Sequence, residues 1–411
     1  MSAHAEPAPL GPLDLLVIQP TPFCNLDCRY CYLPDRQNTK RIGASTLDRL
    51  FARVFESELV RNGFTVVWHA GEPLVLRPAF YREAFAIASR HRRAEVAISH
   101  AVQTNATLID QEWCEFIKRH AVRVGVSVDG PEFLNDRHRT TRRGGGTYRR
   151  VVQGMAALRR NAIPFHVITV LTRDSLDYPD ELYAFYVEHG IDQIGFNVEE
   201  IEGPHQCSSL ASDGSEVRYR EFLSRFYDLA GRPGSGLRVR EFDSALAAIV
   251  AAEREPPRLQ ETAPFAIVSV DCDGNFSSFS PELLGLPSSE YGDFALGNVH
   301  ATSFAAAARS PRFAAMEAAI AAGVARCRQN CTYFRLCGGG APANKYFENG
   351  SFDSAETLFC RLTRQAVLDV VLDKVQGAAV NTVAGQGSAP SDSSDRDGLA
   401  NRTRAEPRLP S

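Results

Sequence analysis

Between Leu13 and about Val198 the chain alternates short apolar, β-branched runs with longer stretches whose apolar residues recur every three or four positions. The short runs, at 15–19, 65–69, 96–102, 123–128, 165–170 and 193–198, have the length and composition of strands. The longer ones, at 46–61, 78–90, 110–118, 148–160 and 178–189, have the period of amphipathic helices. Strands separated by helices imply an α/β fold with a parallel sheet and right-handed crossovers. Six of them predict a partial barrel or an open doubly wound sheet, with the reactive face at the strands' C-terminal ends.

After about Ile201 the pattern changes. Helical periods at 216–230 and 241–252 lead through a Pro/Glu-rich connector, 253–264, to strand-like runs at 265–270 and 275–279. Asp271-Cys272-Asp273-Gly274 between these runs is a hairpin signal. An alanine-rich helix is expected over 303–322 and a final helix from 363 to about 375. Beyond Gly377 almost nothing apolar remains, which predicts disorder. The expected organisation is an N-terminal extension (1–12), a core domain (13–235), a C-terminal domain (236–376) and a tail (377–411).

Hydrophobic residues make up 44% of the 411 positions, enough for a large core. A net charge of −4 argues against a general nucleic-acid partner. There is no apolar run of membrane-spanning length and no signal-peptide pattern before Pro12, so a cytoplasmic protein is expected. In that reducing setting ten cysteines read as metal ligands rather than disulfides. Eight fall in two zones, Cys24 to Cys31 and Cys272 to Cys360; Cys114 reads as a small core residue and Cys207 as a free thiol.

Cys24, Cys28 and Cys31 stand three and then two residues apart, directly after the first strand. A tight loop of that spacing aims three thiolates at one place, one short of a closed tetrahedral zinc site or a fully ligated iron–sulfur cluster. A structural metal knuckle is the plainer alternative. The other strand ends carry Ala70-Gly71-Glu72-Pro73, then Gln103, Thr104 and Asn105, then Ser127, Asp129 and Gly130. Four consecutive strand ends would thus converge on one pocket, which favours a reactive site over a staple.

The Cys24-x3-Cys28-x2-Cys31 loop, with Tyr30 before its last cysteine, resembles the radical S-adenosylmethionine (SAM) signature. The resemblance implies a partial (β/α)6 TIM-type barrel. It implies a four-iron–four-sulfur cluster on the three cysteines, SAM chelating the fourth iron, and a 5′-deoxyadenosyl radical that abstracts a substrate hydrogen. Gly71 and Glu72 resemble the segment that lines the SAM amino group. Ala70 replaces a glycine there, a mild departure if its φ is negative. Ser127 and Asp129 resemble the polar pair near the SAM ribose, and Asn105 a residue beside SAM. Arg139 is similar to an arginine of peptide-modifying members that would pair with the SAM carboxylate.

The second zone resembles the SPASM extension of such enzymes, so a SPASM-like C-terminal auxiliary-cluster domain is implied. Cys327, Cys331, Cys337 and Cys360 correspond to the ligands of one auxiliary four-iron–four-sulfur cluster. Ala341 and Phe279 stand where ligands of a second would be, so one auxiliary cluster is expected. Zinc on the same four thiolates is the alternative. Cys272 is left over, with three readings: ligand of an unusual cluster, substrate contact, or buried small residue. Ser280 also stands where sulfatase-maturing relatives carry a carboxylate base, which makes formylglycine formation the second choice. Asp271, Asp273 and Glu282 are candidate substitutes for that base.

Residues 15–25 and 338–350 resemble cyclophane-forming peptide maturases of the GrrM/OscB type. That resemblance implies a ribosomal precursor peptide as partner and an aromatic-ring-to-β-carbon cross-link as product. It also implies an electron donor such as ferredoxin or flavodoxin. An extended peptide is expected to add as a strand to a sheet edge. A metal-stapled binding module without catalysis is the reading from another class.

Overall fold

The computed structural model describes residues 10–386. All six expected strands are present: β1 (Leu15–Ile18), β2 (Gly63–Trp68), β3 (Ala97–Thr104), β4 (Arg123–Ser127), β5 (Phe165–Leu171) and β6 (Gln193–Val198). They pair in sequence order and in parallel, with Leu15 opposite Thr65 and Val167 opposite Ile194. Beyond β6 lies β7 (Arg238–Val239), also parallel. On the other side of β1 comes β8 (Ile267–Val270), parallel to it, followed by the antiparallel β9 (Asn275–Ser278) and β10 (Gly297–Asn298). The sheet runs β10-β9-β8-β1-β2-β3-β4-β5-β6-β7 and does not close. It is the partial barrel, extended across residue 236 by the hairpin that Asp271 to Gly274 announced.

Period explains why the strands and helices fit. Along β2 the residues Phe64, Val66 and Trp68 are buried, at every second position. The helix Pro78–His91 turns Tyr81, Ala84, Phe85 and Ala88 inward, at helical spacing. Trp68 meets Tyr81 edge-on, ring centres 5.1 Å apart, a favourable aromatic arrangement. Residues up to Leu372 form one compact unit. No helix among the described residues is long and apolar enough to cross a membrane.

The differences from expectation have local causes. The first helix, Ala44–Glu56, stops before Arg61, because the Ser57 hydroxyl donates to the Val54 carbonyl and the chain turns extended. The alanine-rich stretch is two helices, Phe304–Ala307 and Pro311–Asn330. Pro311 has no N–H to continue the first, and the Ser310 hydroxyl caps the second by accepting from Phe313 N at 3.1 Å. A short helix, Glu132–His138, occupies what reads as loop, and Arg139 caps its end. The last helical run starts earlier, at Leu358, and continues to Gln386, ten residues into the stretch expected to be disordered. The N-terminal residues 1–9 and the tail from 387 lie outside the described residues.

Candidate active site

The cysteine loop follows β1 and is held from behind by residues 138–142. Asp27 N donates to Thr140 O at 2.8 Å, Arg29 N to His138 O at 3.1 Å, and Arg142 Nε to Cys24 O at 2.8 Å. Burial raises the Cys24 thiol to about 12, with the neighbouring Glu72 adding to it. It raises Cys28 to about 11, against the opposing charge of Arg139. Without a metal both are neutral thiols at neutral pH, so loading a metal displaces protons.

The loop closes on the turn after β2. Gly71 has φ +71°, and a Cβ there would lie 2.4 Å from Thr21 O and 2.7 Å from Phe23 O. Only glycine lets these backbones meet. Ala70 departs from expectation, since its φ is +67° and not negative. Glu72 is buried and accepts from Leu74 N at 2.9 Å, Asn105 N at 2.8 Å and the Thr104 hydroxyl at 2.6 Å. Burial lifts its carboxyl to about 7 in spite of those three donors. Asn105 donates from Nδ2 to Asn25 Oδ1 at 2.8 Å and stands 4.0 Å from Cys24 Sγ. Ser127 accepts from Gln103 Nε2 at 2.8 Å.

Asp129 faces the protein rather than a ligand. Its carboxylate takes the Tyr30 hydroxyl, Arg139 Nη2 at 3.0 Å and Val170 N at 3.0 Å. Burial works against the charge on Arg139, but Asp129, Tyr30 and Cys28 beside it hold the guanidinium protonated. Its Nε, buried, has no partner.

These groups line a cavity of about 490 Å³ into which Cys24, Cys28, Cys31, Tyr30, Gly71, Glu72, Asn105, Ser127 and Arg139 all project a surface. The sequence pattern did not point to six more of its lining residues: Tyr32, His69, His166, Glu199, Glu200 and Glu202. His69 is desolvated, which lowers it to about 4 and leaves it neutral, with Nδ1 unpartnered. Glu282 lines the cavity as well, lifted to about 7 by burial. Glu202 is held protonated by burial and by the charges of Glu200 and Glu282.

The other two base candidates belong to the hairpin instead. Asp271 accepts from Asp273 N at 2.8 Å, Asn275 N at 2.9 Å and Asn275 Nδ2 at 2.9 Å, so it shapes the turn. Asp273 pairs with Lys40 on the surface. Cys272 is buried in the core and lines none of the cavities described here.

The radical SAM superfamily pattern matches residues 18–201, which run from the end of β1 past the Glu199-Glu200 pair. This is a radical SAM enzyme. An uncharacterized protein of Synechocystis sp. is 44% identical over 370 residues, 89% of this chain and 93% of that one. A serine-type anaerobic sulfatase-maturating enzyme of Klebsiella aerogenes is 31% identical over 201 residues, 48% of this chain but only 50% of its own length. Among solved structures the fold superposes on anSMEcpe with bound AdoMet and Cp18Cys peptide, at TM-score 0.73, 20% identity, 90% of this chain and 99% of that one. It superposes on Streptococcus suis SuiB bound to precursor peptide SuiA at TM-score 0.60, 16% identity, 85% of this chain and 76% of that one.

The radical SAM cofactors fit the residues present. Three thiols face the cavity with no fourth, the Gly71 cradle lets backbone approach closely, and Arg139 Nε is an unused buried donor. Two of the C-terminal thiols have hydrogen-bond donors beside them. Lys345, 3% exposed, places Nζ 3.3 Å from Cys327 Sγ and 2.9 Å from Gly323 O. Gln365 Nε2 lies 3.8 Å from Cys360 Sγ. Burial raises Cys360 to about 12, with Cys337 and Cys331 adding repulsion, and raises Cys331 with contributions from Cys327 and Cys337. Among the described residues no three His, Cys, Asp or Glu are gathered tightly enough for one metal ion.

Proposed function

We propose that this radical SAM enzyme modifies a ribosomally made precursor peptide, joining an aromatic ring carbon to the β-carbon of a nearby residue. The observation that carries the reading is the shared cavity, lined by the cysteine loop together with Glu282, Glu200 and Glu202. The peptide-bound states of anSMEcpe and SuiB support a peptide partner.

When bound, the cluster and SAM supply a one-electron cleavage and a hydrogen-abstracting radical. The chain's own residues do the rest. Cys24, Cys28 and Cys31 would hold the cluster, while Arg139 Nε and the Ser127 hydroxyl would be donors that orient SAM. Asp129 acts through Tyr30 and Arg139, positioning both. Ring attack leaves one electron and one proton to remove. Glu282 is the carboxylate placed to take the proton, in place of Asp271 and Asp273. Cys327, Cys331, Cys337 and Cys360 would hold the electron acceptor.

Anaerobically purified protein should carry about eight irons per chain, as two four-iron clusters. With a reductant and SAM it should release 5′-deoxyadenosine. A peptide encoded beside the gene should lose about two mass units, for two hydrogens. A formylglycine product from a Ser or Cys peptide would instead establish sulfatase-type maturation, and zinc without 5′-deoxyadenosine a non-catalytic module.

A further inference from the structure

A second cavity, about 480 Å³, adjoins the first. Asn197, Glu200, Glu202, Arg240 and Glu282 line both, so the seam between the chambers is made chiefly of carboxylates. Ala341, which stands where the SPASM pattern would carry a ligand of another cluster, and Ser280, which stands at the position of the carboxylate base, both line this second chamber. Far apart in sequence, they open onto one space. It has the size of a small-ligand site.

Five carboxyls, Glu200, Glu202, Glu241, Glu261 and Glu282, line it against two arginines, Arg240 and Arg364. Asn344 Nδ2 donates to Glu200 Oε2 at 2.7 Å, but that is a neutral partner. Arg240, the cation whose field reaches Glu200, is committed to Glu241 and to the Phe196 and Asn197 oxygens. Ser280 is 2% exposed and its hydroxyl has no partner. Burial raises Glu200 and holds Glu202 protonated, and the unsatisfied hydroxyl beside them adds to the cost of the empty chamber. A donor-rich cation placed there would let both carboxyls ionise and give Ser280 a partner.

We infer that the second chamber binds a guanidinium or ammonium side chain of the substrate, held by Glu200, Glu202 and Ser280. The inference rests on the peptide reading above and names a feature of that peptide. A basic residue seated in the chamber places its chain neighbours in the first cavity, over the cysteine loop.

The test uses the holoenzyme with SAM and two probes, Nα-acetylarginine amide and its neutral isostere Nα-acetylcitrulline amide, followed by calorimetry. The arginine probe should bind at least tenfold tighter than the citrulline probe. Ala341→Met, which fills the chamber from a wall free of charge, should weaken the arginine probe at least tenfold. It should leave the iron content and uncoupled 5′-deoxyadenosine release unchanged. Glu202→Gln should weaken it as well. Equal binding of the two probes, no binding of either, or wild-type binding by Ala341→Met overturns the inference. The peptide reading is judged separately, by mass loss in the encoded peptide, and can fail while arginine binding stands.

Discussion

At Gly71 a methyl group would collide with two backbone oxygens, whereas at Ala70 one already sits in the same left-handed region. Substitutions at these neighbours should therefore have opposite signs. Gly71→Ala should prevent the loop from closing, read as loss of the iron held by Cys24, Cys28 and Cys31. Ala70→Gly should stabilise the protein by about 1 kcal/mol, read as a raised thermal midpoint. Glu282 gives a pH signature. Its carboxyl is raised from 4.5 to about 7, so the folded state holds a proton that the unfolded chain releases. That contribution is full below about 4.5 and is lost as pH rises through about 7. Glu282→Gln should flatten the fall in stability across that window. The yield of cross-link per SAM consumed should rise through the same pH in the wild type and lose that limb in Glu282→Gln, while 5′-deoxyadenosine continues to form. Of the three acids named from sequence, only Glu282 reaches the cavity. Nearness to Ser280 in sequence made Asp271 and Asp273 attractive, but Asp271, three residues before Gly274, has backbone N–H groups within reach and uses them, and Asp273 pairs with Lys40. Glu200 and Glu202 escaped notice because a run of acids after a strand has the pattern of a solvated loop. Their burial is set by residues 336–368, remote in sequence.

Elements were legible where period was strong. Six strands and five helices of the core follow from it, and with them the ends where the site lies. The short helix Glu132–His138 was not, because seven residues are too few to show a period. Yet it sets Arg139 against Asp129. The helix Pro311–Asn330 shows how one residue overrides composition, for alanine content alone would have run straight through Ser310-Pro311. Ser310→Ala should cost about 1 kcal/mol, measured by denaturant unfolding of the holoprotein. The helix Pro342–Asn349 serves two sites from adjacent positions, Asn344 toward Glu200 and Lys345 toward Cys327. Lys345→Met should leave the C-terminal iron easily stripped by a chelator, with SAM cleavage intact.

Across the whole molecule the two thiol sets should be separable. Replacing Cys331 and Cys360 by alanine should halve the iron, to about four per chain, and stop cross-linking while 5′-deoxyadenosine still forms. Full cross-linking by folded protein of that kind would remove the electron-acceptor role. The sheet itself constrains how a substrate is gripped. Its outermost strands, β7 and β10, are two residues each. A peptide annealing there would gain a ladder of a few hydrogen bonds at most, too little to hold it in one register. Grip then has to come from side chains rather than from the main chain. Such an enzyme tolerates a lengthened or proline-containing leader yet registers each change at the modified residue and its basic neighbour, so its substrates would share a short local code and little else.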